Sequence, residues 1–218
     1  MVIIAIDGCD GSGKSTISAM LSKRMPGSKF IEQSKRIDFL PDLRNFLDGQ
    51  INNLVLARLV YFLGTNQLSS NEAAENEKKG IDTILVRSIY STKAYHIAYD
   101  DLYDDRANAP VIGSIVAAAE KSLVHPDIVV FLHVASEERV KRIVRREATE
   151  NSSLDWDSKT MAFIDSEFRK YARELRESGK ALVIELDNTN LTPEETVDRI
   201  ASEIALYKAC AIKRRERL

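Results

Sequence analysis

The chain has little that could staple it covalently or anchor it to a lipid phase. It holds two cysteines, Cys9 and Cys210, too few and too far apart for a disulfide framework, so a reducing compartment fits best. No apolar segment approaches the roughly 20 residues that cross a bilayer. The N-terminal apolar run Val2-Ile3-Ile4-Ala5-Ile6 stops at Asp7, with no basic leader and no cleavage-like site. These absences predict a cytosolic protein with no membrane partner. An excess of one charge is also missing: 31 Lys and Arg stand against 33 Asp and Glu, a formal net charge of −2. That excludes a global field that would collect nucleic acid, and the basic tail Lys213 to Arg217 reads as a solvated helix end. His96, His125 and His133 show no metal-ligand spacing.

What the chain does have is one dense motif. Gly8-Cys9-Asp10-Gly11-Ser12-Gly13-Lys14-Ser15 follows that apolar run and leads into Thr16-Ile17-Ser18-Ala19-Met20-Leu21, a strand, a glycine loop and a helix start. Spacing of the type G-x-x-x-x-G-K-S suits a polyphosphate. Glycines let successive backbone N–H groups turn inward, the helix start adds partial positive charge, and Lys14 can reach the outer phosphates. Gly8, Asp10, Gly11, Ser12, Gly13, Lys14, Ser15 and Thr16 are thus the candidate phosphate cradle, with the Ser15 hydroxyl the candidate Mg²⁺ ligand. Cys9 reads as a small filler within it.

Beyond the loop, strands alternate with helices, hairpin signals are few and no internal repeat occurs, which predicts a parallel sheet with helices on both faces. Candidate strands are Lys29 to Glu32, Thr83 to Val86, Ile128 to Leu132 and Ala181 to Ile184. A short helix is expected over Leu43 to Leu47. A long helical region over Ile51 to Lys79 is expected to break or kink near Gly64 or Ser69-Ser70. Further helices are expected from Ser91, over Ala109 to Leu123, and over the basic stretch Ser136 to Arg146. Met161, Ile164, Phe168, Tyr171 and Leu175 alternate spacings of three and four, one buried helical face. Thr192-Pro193-Glu194-Glu195 is a capping box that opens the last helix. Bound ligands should lie at the carboxyl ends of the strands, where the glycine loop already sits.

Several segments in order resemble the thymidylate kinase family of nucleoside monophosphate kinases. Ile6 to Thr16, with its acidic Asp10, is similar to that family's phosphate loop. Arg87-Ser88-Ile89-Tyr90-Ser91-Thr92-Lys93-Ala94-Tyr95 is similar to its D-R-x-x-x-S-T-x-A-Y segment. His125-Pro126-Asp127 before a strand, then an arginine-rich helix, is similar to its route into a lid. The resemblance implies a P-loop kinase fold: α/β, a five-stranded parallel sheet with helices on both faces and a short lid at about 146–158, in one domain spanning 1–218. It implies transfer of the γ-phosphoryl of ATP, with Mg²⁺, to a deoxynucleoside monophosphate, dTMP first, by a homodimer.

Carried over by position, Arg44 and Arg87 would hold the acceptor's 5′-phosphate, a task that suits the fixed fork of guanidinium. Asp10 would meet the sugar 3′-hydroxyl, Phe62 would stack on the base with Asn66 at its edge, and Ser91 and Thr92 belong to the same segment. Tyr95 would crowd the 2′ position. The family places a mobile arginine either after the loop's acidic residue or in the lid; Gly11 stands after Asp10, so the lid should supply it, from Arg142, Arg145 or Arg146.

Three positions depart from the family pattern. Val86 replaces an aspartate expected to help organise Mg²⁺, so activity would be lower or another carboxylate such as Asp7 would substitute; Asn66 replaces a base-reading arginine; and Gln33-Ser34-Lys35-Arg36 replaces an E-P-G-G-like turn. Two other readings therefore stay open: a kinase acting on a hydroxyl of a nucleoside or of a modified DNA base, and a nucleotide-binding protein without catalysis.

Overall fold

The computed structural model describes residues 1–33, 43, 46–47, 54–103, 108–147 and 158–215, without the side chains of 103, 146–147 and 211–215. Its elements run β1 (Ile3–Gly8), α1 (Lys14–Arg24), β2 (Lys29–Glu32), α2 (Val55–Lys78), β3 (Thr83–Val86), α3 (Ile89–Tyr103), α4 (Ala109–Glu120), β4 (Ile128–His133), α5 (Ser136–Glu147), α6 (Ser158–Ser178), β5 (Leu182–Asp187) and α7 (Pro193–Arg215). The five strands form one sheet in the order β2-β3-β1-β4-β5, and every pairing is parallel.

Period-two alternation along the strands divides the core in two. Ile3 and Ala5 of β1, Leu85 of β3, and Val129 and Phe131 of β4 face one side, where α2, α3, α4 and α6 cover them. Ile4 and Ile6, Ile84, and Ile128, Val130 and Leu132 face the other, under α1 and α7. β1 and β4 are buried along their whole length, as central parallel strands must be. The α6 stripe Met161, Ile164, Phe168, Tyr171 and Leu175 is buried throughout, with Phe168 5.8 Å from Phe131 between ring centres. The capping box forms as its spacing demands. The Glu195 N–H donates to Thr192 Oγ1 at 3.1 Å, and the Thr192 N–H donates to Glu195 Oε2 at 2.8 Å.

Some boundaries differ from the sequence expectation. α2 runs without interruption from Val55 to Lys78, so the break expected at Gly64 or Ser69-Ser70 is absent. Tertiary contact explains this: Ser69 and Ser70 are buried, and Ser70 Oγ accepts the Val124 N–H at 2.7 Å instead of competing for its own helix. α3 starts at Ile89 rather than Ser91, α4 ends at Glu120, and β5 continues to Asp187 because it pairs with β4 as far as His133. Of the expected short helix at Leu43 to Leu47, residues 43, 46 and 47 are described and are helical. The lid segment 148–157 and Arg44 lie outside the described residues.

Candidate active site

β1 delivers the glycine loop to the carboxyl edge of the sheet, and the loop's shape depends on residues without side chains. Gly8, Gly11 and Gly13 have φ of +147°, +80° and +89°. A Cβ on Gly8 would stand 2.4 Å from the Leu132 carbonyl oxygen of the adjacent strand. Gly13 caps α1 in the left-handed conformation with no side-chain cap, and the first turn of α1 carries no acidic residue. Its leading N–H groups are thereby left for an anion. Ser15 and Thr16 are exposed in that turn. Mg²⁺ needs only one or two protein oxygens beside phosphate and water, so the Ser15 hydroxyl fits the ion.

Lys14 is buried, 6% exposed, and bridges the loop: its Nζ donates to the Cys9 carbonyl at 2.7 Å and lies 3.8 Å from Asp10 Oδ1. Burial, reinforced by the positive charge of Arg87, pushes it down to about 8. The lysine is a cation short of counter-charge, which a polyphosphate would supply. Cys9 is buried against α6, and burial pushes its thiol up to about 12, in keeping with a filler and not a nucleophile.

Opposite the lysine, Arg87 ends β3. It has φ of +67°, the one positive value outside glycine among the described residues, a conformation that costs about 1 kcal/mol or more. Its main-chain N–H still donates to Ile6 at 3.0 Å, so the ladder holds while the side chain turns across to the loop. There the guanidinium donates to Asp10 Oδ1 and lies over the Tyr95 ring, 5.2 Å from its centre. Tyr95 in turn accepts the Asp10 N–H at 2.9 Å through its hydroxyl. Asp10, Lys14, Arg87 and Tyr95 thus form one cluster drawn from the phosphate loop, the start of α1, the residue after β3, and α3.

Asp7, the carboxylate named as a substitute for the missing strand-end aspartate, is fully buried and engaged. It accepts the Ser88 N–H at 3.0 Å, the Ser88 hydroxyl at 2.6 Å and the Ser91 hydroxyl. Ser91 is therefore occupied in fixing the β3–α3 turn, and Val86 is an apolar core position.

The remaining acceptor-side residues meet between α2 and α3. Asn66 Nδ2 donates to the Phe62 carbonyl at 2.9 Å and to Thr92 Oγ1 at 2.7 Å. The Phe62 ring packs edge-on to His96 at 5.8 Å, with the Arg58 guanidinium 4.7 Å from its centre. Burial, aided by the charge of Arg58, pushes His96 down to about 3, so it is neutral.

On the donor side, Arg142 of α5 is held by the loop after β5. It donates to Glu138 at 2.9 Å, to Asn188 Oδ1 at 3.0 Å and to the Asn188 carbonyl at 2.9 Å. Asn188 Nδ2 donates to the Ser12 carbonyl at 2.9 Å, which links Arg142 to the phosphate loop. Arg145 is exposed, and Arg146 lies in the last turn of α5 with its side chain outside the description. Sequence reading missed Asn188, for which the polar run Asp187-Asn188-Thr189-Asn190 at a strand end was the available signal.

The thymidylate kinase family model matches residues 6–200. A thymidylate kinase from Wolinella succinogenes is 29% identical over 214 residues, covering 93% of this chain and 98% of that protein. A cytidylate kinase from Azotobacter vinelandii is 27% identical over 230 residues, covering 94% and 95%. Among solved structures, a thymidylate kinase from Candida albicans shares the fold with a TM-score of 0.69 at 23% identity, covering 95% of this chain and 92% of that one. The match over residues 6–200, on a phosphate loop and strand-end arginine arranged as described, means that the chain belongs to the thymidylate kinase family.

Proposed function

We propose that the protein transfers the γ-phosphoryl group of ATP to the phosphate of dTMP, giving ADP and dTDP. The observation that carries this reading is the pair of cations on either side of Asp10: Lys14 in the phosphate loop and Arg87 at the end of β3. Their positions support a reading in which Lys14 serves a triphosphate and Arg87 a separate, singly phosphorylated molecule. An oxygen of the acceptor's phosphate bonds to the γ-phosphorus while the bond to the bridging oxygen breaks, its electron pair leaving with ADP. The protein's part is alignment and positive charge. Lys14 neutralises charge on the outer phosphates, Ser15 would hold Mg²⁺, which shields phosphate oxygens when bound, and Arg87, with Arg44 by resemblance, orients the acceptor.

Asn66 supports a base with a donor on its edge. Both its amide hydrogens are taken, one by a carbonyl that can only accept, so Oδ1 is left to accept the N3–H of thymine. Tyr95 stands against Asp10, where the sugar would lie, and supports selection of a deoxyribose. We propose further that the chain forms one domain with a lid near 146–158 and works in the cytoplasm as a homodimer.

A coupled ADP-release assay over dTMP, dUMP, dCMP, CMP, dAMP and dGMP, with nucleosides as a second panel, tests the reading. dTMP should give the highest kcat/KM. Turnover of nucleosides alone, or of nothing, would overturn it.

A further inference from the structure

On the face of the sheet away from α1 and α7, the helices α3, α4 and α6 part and leave a cavity of about 240 Å³. It reaches the segments that lead into β4 and β5, at the edge of the sheet opposite the phosphate loop. Ile89, Val116, Tyr171 and Leu175 line it and are buried. Tyr90 lines it too. That residue is only 9% exposed, its ring lies 5.9 Å from those of Phe131 and Tyr171, and its hydroxyl makes no hydrogen bond among the described residues. Buried phenols as a rule have a partner, and one that opens on a cavity is completed by what enters it.

The charges around that hydroxyl are of one sign. Burial pushes the phenol up, and each charge that reaches it adds to the rise: Glu120 at the end of α4, then Asp7, then Glu174 on α6. Asp7 is engaged by Ser88 and Ser91. Glu120 and Glu174 line the cavity, and neither has an ion-pair partner among the described residues. The basic side chains nearby do not offset them. Lys93 turns onto the Tyr171 ring, 4.7 Å from its centre, and Lys180 and His125 are exposed, where water and salt screen charge.

We infer that this cavity binds a small primary amine in its ammonium form. The ammonium N–H groups donate to the Glu120 and Glu174 carboxylates and to the Tyr90 hydroxyl oxygen, and the carbon skeleton covers Val116 and Leu175. Ionised carboxylates only accept, so the donor-rich end of the ligand faces them. The volume is about eight times the roughly 30 Å³ that one water occupies in the liquid, which suits a molecule of about eight non-hydrogen atoms. Lys93 and Lys180 repel a second positive charge, which sets a monoamine above a polyamine. The site does not depend on the kinase reading: α3 gives Tyr90 and Lys93 to this cavity, while Thr92 and Tyr95 meet Asn66 and Asp10.

Calorimetric titration of the full chain with benzylamine, and with benzyl alcohol and benzoate as its uncharged and anionic counterparts, tests this. Benzylamine should bind with a Kd on the order of 1 mM and raise the melting temperature, and the other two should bind at least about tenfold more weakly. The double variant Glu120→Gln/Glu174→Gln should weaken benzylamine at least about tenfold, and Tyr90→Phe about threefold. Glu203→Gln, which removes an exposed carboxylate on α7 outside the cavity, should leave the affinity unchanged. Melting temperatures of the unliganded variants separate loss of folding from loss of binding, and the exposed position of Glu174 keeps Glu174→Gln alone as a folded test should the others melt low. No saturable binding of benzylamine by about 10 mM, equal binding of benzyl alcohol, tighter binding of benzoate, or an affinity unchanged in the glutamate variants would overturn the assignment.

Discussion

The carboxylate of Asp10 and the guanidinium of Arg87 meet across the mouth of the phosphate loop, although 77 residues separate them in the chain. The contact is built by sheet order. β3 lies directly beside β1, with Ile6 paired to Val86, so the residue after each strand emerges on the same edge. Arg87 holds a left-handed backbone conformation to reach it, and such strain persists where the surroundings enforce it.

Replacing Arg87 by alanine should therefore damage acceptor use more than donor use. Losing charge-assisted bonds worth about 1.5–3 kcal/mol corresponds to a fall of roughly 10- to 150-fold in kcat/KM for the monophosphate. The KM for ATP should stay within about threefold. Steady-state kinetics with each substrate varied in turn checks this, and equal damage to both would contradict the assignment.

The cradle should tolerate a methyl group very unevenly. At Gly8 the new Cβ meets a backbone oxygen at 2.4 Å, whereas at Gly13 its nearest neighbours are 3.8 Å away. Gly8→Ala should cost about 2–4 kcal/mol, a drop of roughly 5–15 °C in melting temperature, and Gly13→Ala about 1 kcal/mol from its φ alone. Thermal melts that rank the two the other way would refute the loop geometry.

Lys14 makes stability depend on pH in a direction that can be worked out. Its folded value is about 8 against an ordinary 10.5, so between those values the unfolded chain holds a proton that the folded chain lacks. Stability then rises with pH across that window, by at most about 1.4 kcal/mol per pH unit. Cys9 acts oppositely above pH 9, since burial raises it from 9.0 to about 12 and the unfolded thiol loses its proton first. Urea unfolding of wild type and Lys14→Met at pH 7.5, 8.5, 9.5 and 10.5 isolates the lysine, because Cys9 is common to both. The stability of wild type relative to the variant should climb with pH, and a flat difference would mean that Lys14 is not desolvated. The same variant should lose transfer by about 10²- to 10³-fold.

Asn188 should matter to the donor. It holds the Ser12 carbonyl with one side-chain atom and Arg142 with the other. Asn188→Ala removes both bonds and should raise the KM for ATP roughly tenfold, leaving that for the monophosphate nearly unchanged. An effect confined to the monophosphate would place Asn188 on the wrong side of the site.

The glycine loop, the strand count and the α6 stripe were readable in the chain because each is local. Backbone freedom at Gly8, Gly11 and Gly13, alternation in β1 and a three-four spacing of apolar residues need no knowledge of distant partners. The continuity of α2 was not readable, since Ser69 and Ser70 look like breakers until the Val124 amide takes up the Ser70 hydroxyl. Nor was the engagement of Asp7 by Ser88 and Ser91, which arises only because β1 and β3 are neighbours.

By itself the sequence determined a parallel α/β chain with a polyphosphate cradle at its first strand end, because those features follow from spacing and from what glycine, lysine and apolar runs do within a few residues of one another. Tertiary structure alone decided which charges are paired. The strand order β2-β3-β1-β4-β5 sets Arg87 on Asp10, and the turn after β5 claims Arg142. Which partner a guanidinium takes depends on which carboxylates and carbonyls the fold brings within about 3 Å of it, and nothing in the linear order carries that distance.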